Sequence, residues 1–146
     1  MDRLGGLVEA LPARLEQVRA CGVPDSLVHG DFHPGNVCGR PGRFTVLDWG
    51  DAVVGNPILD RLRFCDWLTD ADRPVVESAW SRPWQDKVPA CAPDRAATLL
   101  RPVSPLLGAI TYQRFLDLIE PDEHPYHAAD PLACLLDADR LASSRA

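Results

Sequence analysis

His29-Gly30-Asp31-Phe32-His33-Pro34-Gly35-Asn36 decides how this chain reads, together with Val46-Leu47-Asp48-Trp49-Gly50 further on. In the abstract the first stretch is H-x-D-x-x-x-x-N, and Asp48 follows Asn36 by twelve positions. Between them lie two short β-like runs, Asn36-Val37-Cys38 and Phe44-Thr45-Val46-Leu47. Gly39-Arg40-Pro41-Gly42 separates the runs and is a strong turn signal, so the spacing predicts a small hairpin with polar residues at both ends. A five-residue loop lets Asp31 and Asn36 face one cavity, with Pro34 and Gly35 fixing the backbone geometry between them. The hairpin then folds back and delivers Asp48 to the same place.

These residue types suit phosphoryl transfer from ATP. One carboxylate must accept or orient the proton of the acceptor hydroxyl, and oxygen ligands must hold Mg²⁺ against the phosphates. Asp31 is placed for the first task. Asn36 offers a neutral carbonyl oxygen and Asp48 an anionic one for the second.

The run LVHGDFHPGNV from Leu27, followed by VLDWGDA from Val46, resembles the catalytic and metal-binding loops of the aminoglycoside phosphotransferase and choline kinase family. The resemblance implies a protein-kinase-like fold and phosphorylation of a small-molecule hydroxyl with ATP and Mg²⁺. It implies Asp31 as catalytic base and Asn36 and Asp48 as magnesium ligands. Gly55-Asn56-Pro57-Ile58-Leu59-Asp60 resembles the family's G-x-P-x-x-D segment. By that likeness Asp60 is structural and hydrogen-bonds back to the catalytic loop, with His29 bracing it. The match spans residues 27–60; the remainder is compatible without being diagnostic.

In kinases of this fold an N-terminal β lobe supplies a phosphate-covering loop and a lysine. Here the 26 residues before the loop read as one helix, and the single lysine, Lys87, comes after the metal-binding motif. The chain therefore reads as a C-terminal lobe: a truncated product, a fragment, or half of a split enzyme whose β lobe is on another chain. Alone it is expected to have little or no kinase activity, because positioning and electrostatics supply most of this chemistry.

The expected architecture is mainly α (α+β), a single domain over 1–146. Catalytic and metal-binding loops occupy 27–60, and 61–146 form a helical subdomain. Leu4, Leu7, Val8, Leu11, Leu15 and Val18 recur at helical spacing, and Gly22 and Pro24 stop that helix. Asn56 reads as an N-cap and Pro57 as a first helical residue, with Ile58, Leu62 and Cys65 sharing a face. Prolines at 74, 83, 89, 93, 102 and 105 predict short, broken helices there. Residues 106–120 read as helix, with Tyr112, Phe115, Leu116 and Ile119 on one face. A last helix starts at Asp130-Pro131 and bears Leu132, Leu135 and Leu136.

Composition narrows the remaining classes. The 146 residues are 46% hydrophobic and 25% charged, which fits a soluble globular protein and not a collagen-like, coiled-coil or disordered one. No apolar run reaches the ~18–20 residues that span a bilayer, and no signal-peptide order is visible, so a cytoplasmic location is expected without membrane partners. A net charge of −6 argues against nucleic acid. Five cysteines at wide spacing, with no C-x-x-C pair, read as reduced and mostly buried thiols.

Several residues carry a sharper and a blander reading. His33 could touch a phosphate but reads first as a loop-packing histidine, and Trp49 as an aromatic that packs the metal loop. Asp51 reads as a solvated loop carboxylate. Trp67, Trp80 and Trp84 read as core, ahead of an aromatic cage for a cationic acceptor. Glu120, Asp122, Glu123, Asp130, Asp137 and Asp139 read as a solvated acidic face. His124 and His127 are left without a role. Two competing functions remain beside the kinase: a truncated kinase-like module that binds without catalysis, and a metal-dependent hydrolase using His29, Asp31, His33 and Asp48.

Overall fold

The computed structural model describes residues 3–143. In chain order it contains α1 (Arg3–Ala20), β1 (Ser26–Val28), a 3₁₀ turn (Pro34–Asn36), β2 (Val37–Arg40), β3 (Arg43–Val46), β4 (Val53–Gly55), α2 (Ile58–Cys65), α3 (Arg73–Lys87), α4 (Pro93–Leu100), α5 (Ser104–Leu116), α6 (His124–His127) and α7 (Asp130–Ala142). The chain is mainly helical with little sheet, as the sequence indicates. It divides into two compact units, Gln17–Thr98 and the described parts of Met1–Glu16 with Leu99–Ala146.

The Gln17–Thr98 unit carries all four strands and the loops of interest. Val28, Ile58, Leu62 and Cys65 lie in its core, with Val18, Cys21, Cys91, Ala96 and Ala97. Gly22, at φ +69, lets the chain leave α1, and Cys21 O then accepts a hydrogen bond of 2.8 Å from Ala92 N. The expected hairpin is β2–β3, antiparallel, with Val37 opposite Val46 and Arg40 opposite Arg43. Pro41 followed by Gly42 at φ +83 is the combination a tight type II turn needs. A second two-stranded sheet was not legible beforehand: β1 pairs antiparallel with β4, Val28 opposite Val53.

Asn56 does cap α2, its Oδ1 accepting from Ile58 N at 3.1 Å, while Pro57 precedes the helix in αR geometry. The expectation of short helices over 74–105 is corrected at α3, which runs fifteen residues. Five of the six prolines punctuate: Pro74, Pro93 and Pro105 lie in first turns, and Pro89 and Pro102 just follow helix ends. Pro83 alone is interior, and the helix continues through it. Arg61 braces α2, α3 and α4 from within. It is 4% exposed, and its Nη1 donates to Ser81 Oγ at 3.0 Å and to Asp94 Oδ1 at 2.7 Å.

In the other unit α5 packs on α7. Here the expected helix faces need correction. α5 ends at Leu116, so Ile119 lies outside it, and Phe115 sits on the surface against His127, ring centroids 5.0 Å apart. Leu132 and Leu136 are exposed, and the buried residue of α7 is Ala138. On α1, Leu7 and Val18 are buried, whereas Val8 and Leu15 are exposed. The acidic residues of this region are solvent-facing or half-buried; Asp130 meets His127 at 3.1 Å and Asp137 meets Arg140 at 2.9 Å. All five cysteines are free thiols, three of them buried. Among the described residues no helix is long and apolar enough to cross a membrane.

Candidate functional site

The loop after β1 begins with His29, which is 1% exposed, and both of its ring nitrogens are engaged. Nδ1 accepts from Asp31 N at 3.3 Å, so the ring hydrogen sits on Nε2, 2.7 Å from Leu47 O. Leu47 N donates to Asn36 O at 2.9 Å, and Asn36 Nδ2 donates to Asp31 O at 3.0 Å. Residues 29, 31, 36 and 47 thus close a ring of four hydrogen bonds. The loop and the far end of the hairpin are one object, although Leu47 lies 16 positions after Asp31.

Two aromatic rings cover this ring of bonds. Trp49 lies 4.8 Å from His29, centroid to centroid, and its Nε1 donates to Val46 O at 3.1 Å. Trp49 therefore packs the loop, as read. Phe32 lies 5.7 Å from His29, stacked on Phe64 at 5.0 Å and 5.7 Å from Trp80. Trp80 is thus packed, but Trp67 is 60% exposed and is not core.

Asp60, in the first turn of α2 and 7% exposed, holds the loop from below. Its Oδ2 accepts from His29 N at 2.7 Å and its Oδ1 from Gly30 N at 3.1 Å. Burial pushes its carboxyl above the ordinary aspartate value, and those two N–H groups oppose the push. Gly30 is at φ +89, and the backbone of Asp51 passes where a side chain at this position would stand.

Asp48 follows the pinned Leu47 and adopts φ +60, the one left-handed residue other than glycine among those described. Its carboxylate is on an exposed residue, and Asp51 is exposed too. Asn36 ends the 3₁₀ turn, and its amide orientation is set by the bond to Asp31 O. Its Oδ1 consequently faces away from Asp31's backbone. The oxygens of Asn36 and Asp48 are hard donors suited to a divalent cation such as Mg²⁺. Among the described residues no three His, Cys, Asp or Glu side chains form a metal-holding group. The hydrolase alternative meets a specific obstacle: His29 has no ring nitrogen left to ligate with.

The sequence model of the phosphotransferase enzyme family matches residues 2–97 of the 146. This chain belongs to that family. No curated protein and no solved structure matches it. The family match covers every loop just described, from His29 to Asp60.

One residue at this phosphotransferase-family site escaped sequence reasoning. Arg63, one helical turn past Asp60, places Nε 3.0 Å and Nη2 2.9 Å from Asp31 Oδ1. The available signal was spacing: residues i and i+3 of a helix share a face, so whatever Asp60 touches lies near Arg63. The left-handed Asp48 also yields a test. Glycine removes strain there and alanine adds it. Asp48→Gly is expected to leave stability unchanged or raise it by up to about 1 kcal/mol, and Asp48→Ala to lower it by about 1 kcal/mol. Urea melts of the two variants check the sign.

Proposed function

We propose that this chain is the catalytic-loop lobe of a protein-kinase-like small-molecule phosphotransferase. It moves the γ-phosphoryl group of ATP to a hydroxyl of a small acceptor. The observation that supports this most is the four-bond ring through residues 29, 31, 36 and 47, which ties the loop of Asp31 and Asn36 to Leu47, the residue before Asp48. In this reading Asp31 accepts the hydroxyl proton as the acceptor oxygen bonds to the γ-phosphorus. The bond from that phosphorus to the β–γ bridging oxygen breaks, and ADP leaves. Asn36 Oδ1 and the Asp48 carboxylate are the oxygens that would hold Mg²⁺. Bound Mg²⁺ neutralises charge on the phosphates.

His29 and Asp60 are the structural supports. Asp60 takes up the first two N–H groups of the loop, and His29 ties the loop to the hairpin; neither reaches substrate. Lys87, the single lysine, is the last residue of α3 and does not belong to this loop cluster. This reading assigns the cationic clamp for the nucleotide, and the β lobe that carries it, to a partner.

Paramagnetic NMR tests the assignment on the chain as it stands. With ATP present, Mn²⁺ is expected to broaden the Asn36 side-chain amide and the Asp48 and Leu47 backbone amides first. Asn36→Ala and Asp48→Ala each weaken that binding about tenfold or more, since even loss of an outer-shell partner costs that much. Broadening elsewhere, or broadening that survives both substitutions together, removes the phosphotransfer reading.

A further inference from the structure

The Asp31 carboxylate sits in a second closed circuit, made of side chains alone. Arg63 grips Oδ1 with two N–H groups, Nε at 3.0 Å and Nη2 at 2.9 Å. On the opposite oxygen, Oδ2, His33 Nε2 stands 3.4 Å away. Trp67 joins the two: the His33 ring stacks on it at 5.4 Å and 26°, and the Arg63 guanidinium carbon is 6.0 Å from its ring centroid. The orientation of His33 is itself fixed, because its Nδ1 accepts from Gly35 N at 3.1 Å. A neutral His33 ring therefore turns its one hydrogen towards Oδ2.

The two oxygens are not equivalent. Oδ1 carries a charge-assisted, two-donor contact, which is short and geometrically demanding. Among the described residues Oδ2 meets only the longer approach of His33. Asp31 is 38% exposed in its side chain, so without a partner it would be free to turn between rotamers. The exposed Trp67 supports no core, yet it is the shelf that both His33 and Arg63 share.

We propose that Arg63 is a positioning residue for Asp31. It locks the carboxylate with Oδ1 turned towards α2, so that Oδ2 is the oxygen that takes the acceptor proton. This rests on the phosphotransfer reading above and adds a residue to it. The positive charge also offsets that of Asp31, which would otherwise repel the incoming phosphates. Arginine suits the task where lysine does not, because only the planar fork sets two donors on one oxygen.

Asp31 side-chain order reads this out without any turnover. Three-bond couplings to Asp31 Cγ are expected to report one χ1 rotamer in the wild-type chain. In Arg63→Gln they fall to the average of two or more rotamers, and Arg63→Lys recovers part of the single-rotamer value. Trp67→Leu, which leaves Arg63 in place, moves the couplings the same way by less. In all three variants the His29 amide stays protected from exchange, and Mn²⁺ still broadens Asn36 and Asp48 as in wild type. That selectivity separates positioning from general loosening. A single Asp31 rotamer in Arg63→Gln overturns the proposal, as does loss of His29 protection in step with the rotamer. Failure of the phosphotransfer reading has a different signature: Mn²⁺ is not seen at Asn36 and Asp48 in the wild-type chain, whatever Arg63 does.

Discussion

Asp60→Ala is expected to destabilise the Gln17–Thr98 unit by about 2–4 kcal/mol and to release the His29 and Gly30 amides to solvent exchange. Two N–H groups lose their acceptor at once, at 2.7 and 3.1 Å. Each buried donor left without a partner costs about 1–3 kcal/mol. Alanine also removes the burial penalty of the carboxylate, which recovers part of that loss. The net effect lowers the melting temperature by about 10 °C, at a few degrees per kcal/mol. Hydrogen exchange locates the damage: protection falls at residues 29 and 30 first, then through Leu47, because the four-bond ring starts at His29. Unchanged protection at His29 would show that the loop does not depend on α2.

The same carboxylate gives the variant comparison a pH signature, and its sign is the reverse of the usual aspartate case. Burial raises the Asp60 carboxyl above its ordinary 3.8 in the folded chain. Between 3.8 and the raised value the folded state holds more protons than the unfolded one. Stability contributed by this group is therefore lost as pH rises through the raised value, and the deficit is fully present at neutral pH. Asp60→Asn does not titrate. The stability of wild type relative to Asp60→Asn should accordingly rise on acidification through that window, and a difference that stays flat would mean the shift is absent.

Local chemistry explains which parts of this arrangement could be read from sequence. The hairpin was legible because Pro41-Gly42 demands a tight turn and the flanking runs are β-like, and the register puts Arg40 opposite Arg43 across that turn. The start of α2 was legible because Asn56 and Pro57 are helix-entry residues in any context. The β1–β4 sheet was not. Its strands are three residues each and pair across 25 positions of sequence, Val28 with Val53, with no turn residue to announce them. The length of α3 was not legible because Pro74 falls in its first turn, where proline is tolerated, and Pro83, although interior, does not interrupt it.

The site shows the same division. Asp31, Asn36 and Asp48 stood out by type and spacing, and the supporting roles of His29 and Asp60 came from the family resemblance. The partnership of Asp31 with Arg63 spans 32 positions and exists only once α2 packs under the loop. Arg61, two residues earlier on the same helix, points into a buried network with Ser81 and Asp94. Two arginines of one short segment thus take opposite roles, one bracing helices and one meeting a carboxylate. Only the packed position of α2 distinguishes them.

Gly30→Ala should disturb the site as severely as the loss of Asp60, by collision instead of by lost hydrogen bonds. A Cβ built there collides with Asp51 O and lies 3.0 Å from Asp51 C, both backbone atoms that cannot rotate away. The residue is also at φ +89, where a side chain adds about 1–2 kcal/mol of strain. Overpacking against fixed neighbours adds about 1–3 kcal/mol more, so the expected cost is about 2–5 kcal/mol. Relief must come from moving residues 50–52 or from turning Gly30 N away from Asp60, and either disturbs the loop cluster. Gly6→Ala is the matched control. Gly6 lies inside α1 with nothing within 4 Å of the added methyl, so alanine should stabilise that helix by about 0.5–1 kcal/mol. Thermal melts of the two variants should therefore move in opposite directions. A Gly30→Ala chain that melts with wild type, and keeps Mn²⁺ at Asn36 and Asp48, would show that the contact with Asp51 does not set the geometry of the loops.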